Sequence, residues 1–157
     1  MARLYGRCPR DQRCVGAVPH GHWQTSTFIA ALRVGGLAAP FLIEGAVNAE
    51  VFTAYLRQVL CPELRAGDIV ILDNLSTHKI SSVAELISAR GASVRYLPAY
   101  SPDLNPIELA FAKLKAHLRQ AAARTRDDLQ HAVAQGLATF RPQHCQGFFR
   151  HAQYVSI

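Results

Sequence analysis

The sequence predicts an α/β fold with a mixed sheet. Two observations carry that prediction. Apolar segments follow one another as strands first, then helix, strand, helix, strand, helix, and the run Ile69-Val70-Ile71-Leu72 is unbroken rather than alternating. The order is that of an α/β architecture, and the unbroken run suits a strand covered on both faces, typically a parallel one. No internal repeat or linker divides the 157 residues, so a single domain over 1–157 is expected, with a helical tail over about 126–157.

A short strand is expected over 14–18, ended by Pro19 and the His20-Gly21-His22 segment. From 24 to 34, Thr25, Thr27, Phe28, Ile29, Leu32 and Val34 make a β-branched and aromatic run; Gly35-Gly36 and a second run at Phe41-Leu42-Ile43 complete a hairpin. Val51, Phe52, Tyr55, Leu56, Val59 and Leu60 recur at helical spacing behind Asn48, a suitable N-cap, which predicts a helix over 49–61 with Pro62 near its end. Gly67-Asp68 opens the strand over 69–72, which ends in Asp73-Asn74. A helix over 80–90 follows, with Ser82 and Glu85 in capping-box register and Gly91 as its stop. After a strand over 94–97, the proline-rich segment 98–106 cannot be regular structure. Asn105 as N-cap and Pro106 at the first helical position then open a helix whose Ile107, Phe111, Leu114 and Leu118 form one apolar stripe. Two more helices are expected over 126–140 and 144–154.

Composition narrows the function. With 50% apolar residues, 18% charged and a mean hydropathy of +0.06, neither a disordered tail nor a low-complexity linker fits. The longest uncharged apolar stretch, 35–43, is far short of the ~20 residues of a membrane helix, and the start has no apolar core of a signal peptide. Neither export nor a membrane partner is expected. Cys8, Cys14, Cys61 and Cys145 form no C-x-x-C pair, which points to reduced thiols and a cytoplasmic location. Cys8, Cys14, His20 and His22 mix zinc-ligand types, but their spacings match no common finger and zinc is not expected. No Ser-His-Asp order or Gly-x-Ser-x-Gly elbow supports acyl transfer. The net charge of +6 divides into +4 over 1–33, −3 over 34–112 and +5 over 113–157. Basic ends around an acidic middle suit a nucleic-acid partner, the alternative being helix faces that Lys and Arg merely solvate.

Two carboxylates stand where chemistry is easily built. Asp73 ends the central strand, and in open α/β sheets ligands bind beyond the carboxyl ends of strands; Asp-Asn there is equally ordinary turn chemistry. Glu108 lies in the first turn of its helix, where Asn-x-x-Glu is also a capping-box pattern. Ala112, Lys115 and Arg119 continue the helical face that Glu108 opens. Carboxylate oxygens hold Mg²⁺ or Mn²⁺ while Lys and Arg hold a phosphate backbone, so acid beside base suits phosphodiester chemistry.

The segments Val70-Ile71-Leu72-Asp73-Asn74-Leu75-Ser76-Thr77-His78-Lys79 and Leu97-Pro98-Ala99-Tyr100-Ser101-Pro102-Asp103-Leu104-Asn105-Pro106-Ile107-Glu108 resemble the second and third catalytic segments of DDE transposases. The branch resembled is that of the bacterial insertion-sequence relatives of the mariner superfamily, whose spacing the 34 residues between Asp73 and Glu108 match. The resemblance extends over about 1–126. It implies a ribonuclease-H-like mixed sheet flanked by helices, two divalent metals (Mg²⁺ or Mn²⁺) held by three acidic residues, and DNA transposition by strand cleavage and strand transfer. On this reading Asp73 and Glu108 are catalytic and metal-binding. Lys79, Lys113, Lys115 and Arg119 contact DNA, and Asn74, His78, Asn105 and Pro106 order the loops.

The family's first catalytic Asp sits on the opening strand of its sheet, and the chain is expected to begin past that strand. Asp11 lies where the family has Gly in a tight turn, so the role is not carried onto it. With two of three ligands, the chain is expected to be inactive alone, either as a decayed or mis-started remnant or as the second frame of a split transposase, its candidate protein partners being a homo-oligomer or a separate N-terminal transposase portion. The alternative is a non-catalytic DNA-binding or transposase-assembly module that works through its basic ends.

Overall fold

The computed structural model describes residues 5–16, 25–75 and 81–154. Strands β1 (Ser26–Arg33) and β2 (Gly36–Glu44) form an antiparallel hairpin that pairs Ile29 with Phe41 and Arg33 with Gly36. Between those pairs the register shifts, so that Ala30 opposes both Ala39 and Pro40. Ala39 takes a left-handed φ of 49° in this bulge, and Pro40 has no N–H for the ladder to lose. The Ala39 carbonyl, fully buried, accepts from the Tyr55 hydroxyl at 2.9 Å.

Helix α1 (Ala49–Tyr55) starts where Asn48 Oδ1 accepts from the Val51 N–H at 2.9 Å. The expected helix over 49–61 is regular only to Tyr55. It continues as a π-helical turn, Leu56–Leu60, and a 3₁₀ turn, Cys61–Glu63, because Pro62 has no N–H to continue the α-helical ladder. Strand β3 (Ile69–Leu72) follows, and crosses over through α2 (Ser81–Ser88) to the parallel strand β4 (Ser93–Tyr96). The helix already runs at Ser81, so Ser82 lies inside it and does not cap it, unlike the capping-box expectation. Gly91 does stop it, at φ +71° with its N–H on the Ser88 carbonyl. Segment 98–106, expected to be irregular, contains a 3₁₀ turn at Pro102–Leu104.

Helix α3 (Pro106–Ala121) begins after Asn105 with Pro106 at its first position, as expected. Helices α4 (Arg126–Ala138) and α5 (Pro142–His151) complete the tail. The last helix starts two residues earlier than expected because Pro142 suits a first helical position, where no N–H is needed. The strand expected over 14–18 is not formed at Cys14, Val15 or Gly16, and positions 17 and 18 lie outside the described residues, as do His20 and His22.

Leu56, Val83 and Ile87 are fully buried, and Ile29, Ala31, Val70 and Leu72 pack against their cluster. On the neighbouring strand position Phe28 meets Phe111 of α3, ring centroids 6.1 Å apart. Successive strand residues point to opposite faces, so α1 and α2 cover one face and α3 the other. The α/β class and both kinds of pairing are present. Among the described residues the antiparallel pair β1–β2 and the parallel pair β3–β4 form two small sheets. Among the described residues no helix is long and apolar enough to cross a membrane.

Candidate active site

Asp73 directly follows β3, at its carboxyl end, because the apolar run stops there. Its Oδ1 accepts from the Leu75 N–H at 3.3 Å, so the turn chemistry weighed for Asp-Asn is formed. Glu108 stands exposed in the first turn of α3, where the helix dipole favours an anion. The capping-box role weighed for it is not formed: Asn105 makes no side-chain cap bond, and its N–H goes to the Pro102 carbonyl at 2.9 Å.

Asp73 and Glu108, with Asn105 and Pro106, line one groove of about 920 Å³ that runs between β1 and β3. Tyr55 borders it on the α1 face, and Ile107 and Phe111 on the α3 face. Arg33, the last residue of β1, grips Asp68, just before β3, through Nη2–Oδ2 at 2.5 Å and Nη1–Oδ1 at 3.3 Å. That pairing, helped by the Arg65 N–H on Oδ2, holds the Asp68 carboxyl down at about 2.

The cations fall into two groups. Lys115 and Arg119 lie exposed on the Glu108 face of α3. Lys113 points elsewhere: its Nζ donates to the Thr139 carbonyl at 2.9 Å, sits 2.7 Å from His144 Nδ1 and lies 4.6 Å over the Phe140 ring. Burial in that packing pushes its ammonium below the usual lysine range. Asn74 is half-buried beside Asp73, while His78 and Lys79 lie outside the described residues. Two contacts escaped sequence reasoning. One is the Arg33–Asp68 bridge. The other is the Tyr154 hydroxyl on the Leu104 carbonyl at 3.1 Å, which ties the end of the chain to the turn ahead of Glu108. Each joins residues 35 and 50 positions apart, with no local pattern to announce it.

The donors at the groove are oxygen ligands of the kind a hard divalent cation takes, and Mg²⁺ is commonly held by one or two carboxylates with its remaining positions filled by water. Asp73 and Glu108 fit one such ion in kind and number. Among the described residues no group of three or more His, Cys, Asp or Glu could hold a metal.

An α/β domain whose acidic pair lies at the end of a central strand and the start of a helix is matched over residues 1–130 by the DDE superfamily endonuclease family, and the chain belongs to it. It is similar in fold to the crystal structure of the Mos1 strand transfer complex, with a TM-score of 0.72 at 18% identity over 99% of this chain and 47% of that one. The crystal structure of the catalytic domain of Mos1 mariner transposase matches at a TM-score of 0.66 and 17% identity, over 84% of this chain and 74% of that one. The Mos1 transposase catalytic domain with Raltegravir and Mg matches at 0.64 and 17%, over 83% and 78%. The ribonuclease-H-like fold expected from the sequence is thereby shown. The chain spans about half the length of the Mos1 chain in the strand transfer complex. No curated protein matches it.

Proposed function

We propose that this chain carries part of the catalytic site of a DNA transposase, cutting and joining phosphodiester bonds with Mg²⁺ or Mn²⁺. The observation behind this reading is the convergence of Asp73 and Glu108 on one groove from the end of β3 and the start of α3. Family membership supports it, as does the likeness to Mos1 structures that include a strand transfer complex and a domain with Mg. Asp73 and Glu108 would hold the cation, which supplies Lewis acidity toward a phosphoryl oxygen and a lowered pKa of bound water. Lys115 and Arg119 extend the Glu108 face as contacts to the DNA backbone, with Lys79, while Lys113 braces α4 and α5. Asn105 and Pro106 set the start of α3 and thus where Glu108 stands; Asn74 and His78 order the chain after β3. The Val70–Lys79 and Leu97–Glu108 segments favour the bacterial insertion-sequence branch, and a DNA-acting role in that setting fits a cytoplasmic location.

Two carboxylates are too few ligands for a two-metal clamp, so the chain alone binds metal weakly and does not cut. Mn²⁺ titration followed by the electron paramagnetic resonance of the free ion should show weak saturable binding. It should be lost in Asp73→Ala and in Glu108→Ala with circular dichroism unchanged, and undiminished binding in both variants sinks the reading. Supercoiled plasmid with Mn²⁺ should stay intact. Nicking that Asp73→Ala abolishes would overturn the expected inactivity.

A further inference from the structure

Helix α5 ends in a Schellman motif, and that stop decides where Tyr154 goes. The Tyr154 N–H bonds the Phe149 carbonyl at 3.0 Å, and inside this ring the Gln153 N–H bonds the Arg150 carbonyl at 3.1 Å. The apolar contact that accompanies such a stop is present, with the Phe149 and Tyr154 rings perpendicular and 5.8 Å apart. Gln153 takes the left-handed position at φ +66°, where glycine is the usual residue. A side chain held there stores strain that the surrounding structure must sustain. What the turn delivers is the half-buried Tyr154, whose hydroxyl donates to the Leu104 carbonyl at 3.1 Å. Burial pushes the phenol up, so it stays a neutral donor.

The Leu104 carbonyl lies four positions before Glu108, so in a regular α-helical start it would accept from the Glu108 N–H. That N–H instead bonds the Asn105 carbonyl, three positions back, at 3.2 Å. The first turn of α3 thus carries a 3₁₀-type bond, continuing the 3₁₀ turn in which the Asn105 N–H bonds the Pro102 carbonyl at 2.9 Å. The Tyr154 hydroxyl satisfies the carbonyl that the Glu108 N–H leaves, so the tight turn costs no unpaired acceptor. The local chain offers no substitute, since Asn105 makes no side-chain cap bond and Pro106 has no N–H. Winding at 3.0 rather than 3.6 residues per turn rotates a side chain three positions along by up to about 60°. The direction of Glu108 therefore depends on which winding the turn adopts. Phe149, from the same helix end, lines the groove together with Glu108.

We propose that Tyr154 is a positioning residue for Glu108: its hydroxyl, placed by the Schellman stop of α5, keeps the first turn of α3 tightly wound and so fixes the direction of the Glu108 carboxylate at the groove. The consequence for a bound cation rests on the metal reading above.

Two measurements on the full chain separate this role from general stability. In Tyr154→Phe the backbone NMR signals of the Leu104 carbonyl carbon and the Glu108 amide should shift while those of β1, β3 and α4 stay. Mn²⁺ affinity, followed by the electron paramagnetic resonance of the free ion, should fall at least threefold in the same variant. Gly91→Ala, a destabilising change in the turn after α2, should leave that affinity within twofold of the original chain. Gln153→Gly relieves the left-handed strain and keeps the hydroxyl, so it should raise the thermal midpoint with the Glu108 signal and Mn²⁺ affinity unchanged. Unshifted Leu104 and Glu108 signals in Tyr154→Phe overturn the proposal, as does an equal loss of affinity in Gly91→Ala. Shifted signals with full Mn²⁺ affinity refute a role at the metal site. If the original chain binds no Mn²⁺, the metal reading alone fails, and the Leu104 and Glu108 signals still decide whether Tyr154 sets the turn.

Discussion

Arg33 and Asp68 illustrate how one residue pair ties local chemistry to pH. The Asp68 carboxyl is held at about 2, against an ordinary 3.8, chiefly by its hydrogen bond from Arg33. A carboxyl depressed on folding adds stability that is full above its unfolded value and disappears as pH falls through its folded one, here between about 4 and 2. Both partners reach solvent, so the contribution stays within about 1 kcal/mol. Arg33→Ala should therefore cost up to that much in urea melts at pH 5 and progressively less toward pH 3; a cost that stays constant would assign it to packing instead. At Tyr55 burial acts in the opposite sense, pushing the phenol above its usual range so that it remains a neutral donor to the Ala39 carbonyl. Tyr55→Phe leaves that buried carbonyl without its hydroxyl donor and should cost about 1–3 kcal/mol in denaturant melts.

Among the elements, proline and glycine decide the boundaries. Gly91 ends α2 in a left-handed conformation, and a Cβ there would stand 3.1 Å from Ala66 Cβ. Gly91→Ala should destabilise the chain by about 1–2 kcal/mol from backbone strain alone, measured as a lower thermal midpoint. Unchanged melting would mean the turn relaxes at no cost. This stop was legible because only Gly adopts that conformation cheaply, and Pro106 was legible as a helix start because a missing N–H costs nothing there. The π-helical turn at Leu56–Leu60 was not, since the apolar spacing of Leu56, Val59 and Leu60 reads the same in either kind of turn. Neither was the start of α2: the Ser82–Glu85 register satisfies a capping pattern that the helix, already formed at Ser81, does not use.

At the scale of the whole molecule, charge and topology meet on the α3 face. If Lys115 contacts a phosphate, Lys115→Ala should weaken binding to duplex DNA regardless of sequence and lower the slope of log K against log salt by about 1. Lys113→Ala should instead lower stability and leave that slope unchanged, because its ammonium is spent on Thr139 and His144. Fluorescence anisotropy of a labelled duplex at several salt concentrations separates the two. Sequence alone determined most of the helices and strands and singled out Asp73 and Glu108 as candidates, since helical period, unbroken apolar runs, Pro and Gly act over a few residues and the two carboxylates sit in distinctive local segments. Tertiary structure alone decided that the two carboxylates share a groove, that Lys113 packs against Thr139 and His144, that Tyr154 anchors the turn before Glu108, and that the described strands form two ladders. Each of these outcomes depends on contacts between residues tens of positions apart, which packing selects and local pattern does not encode.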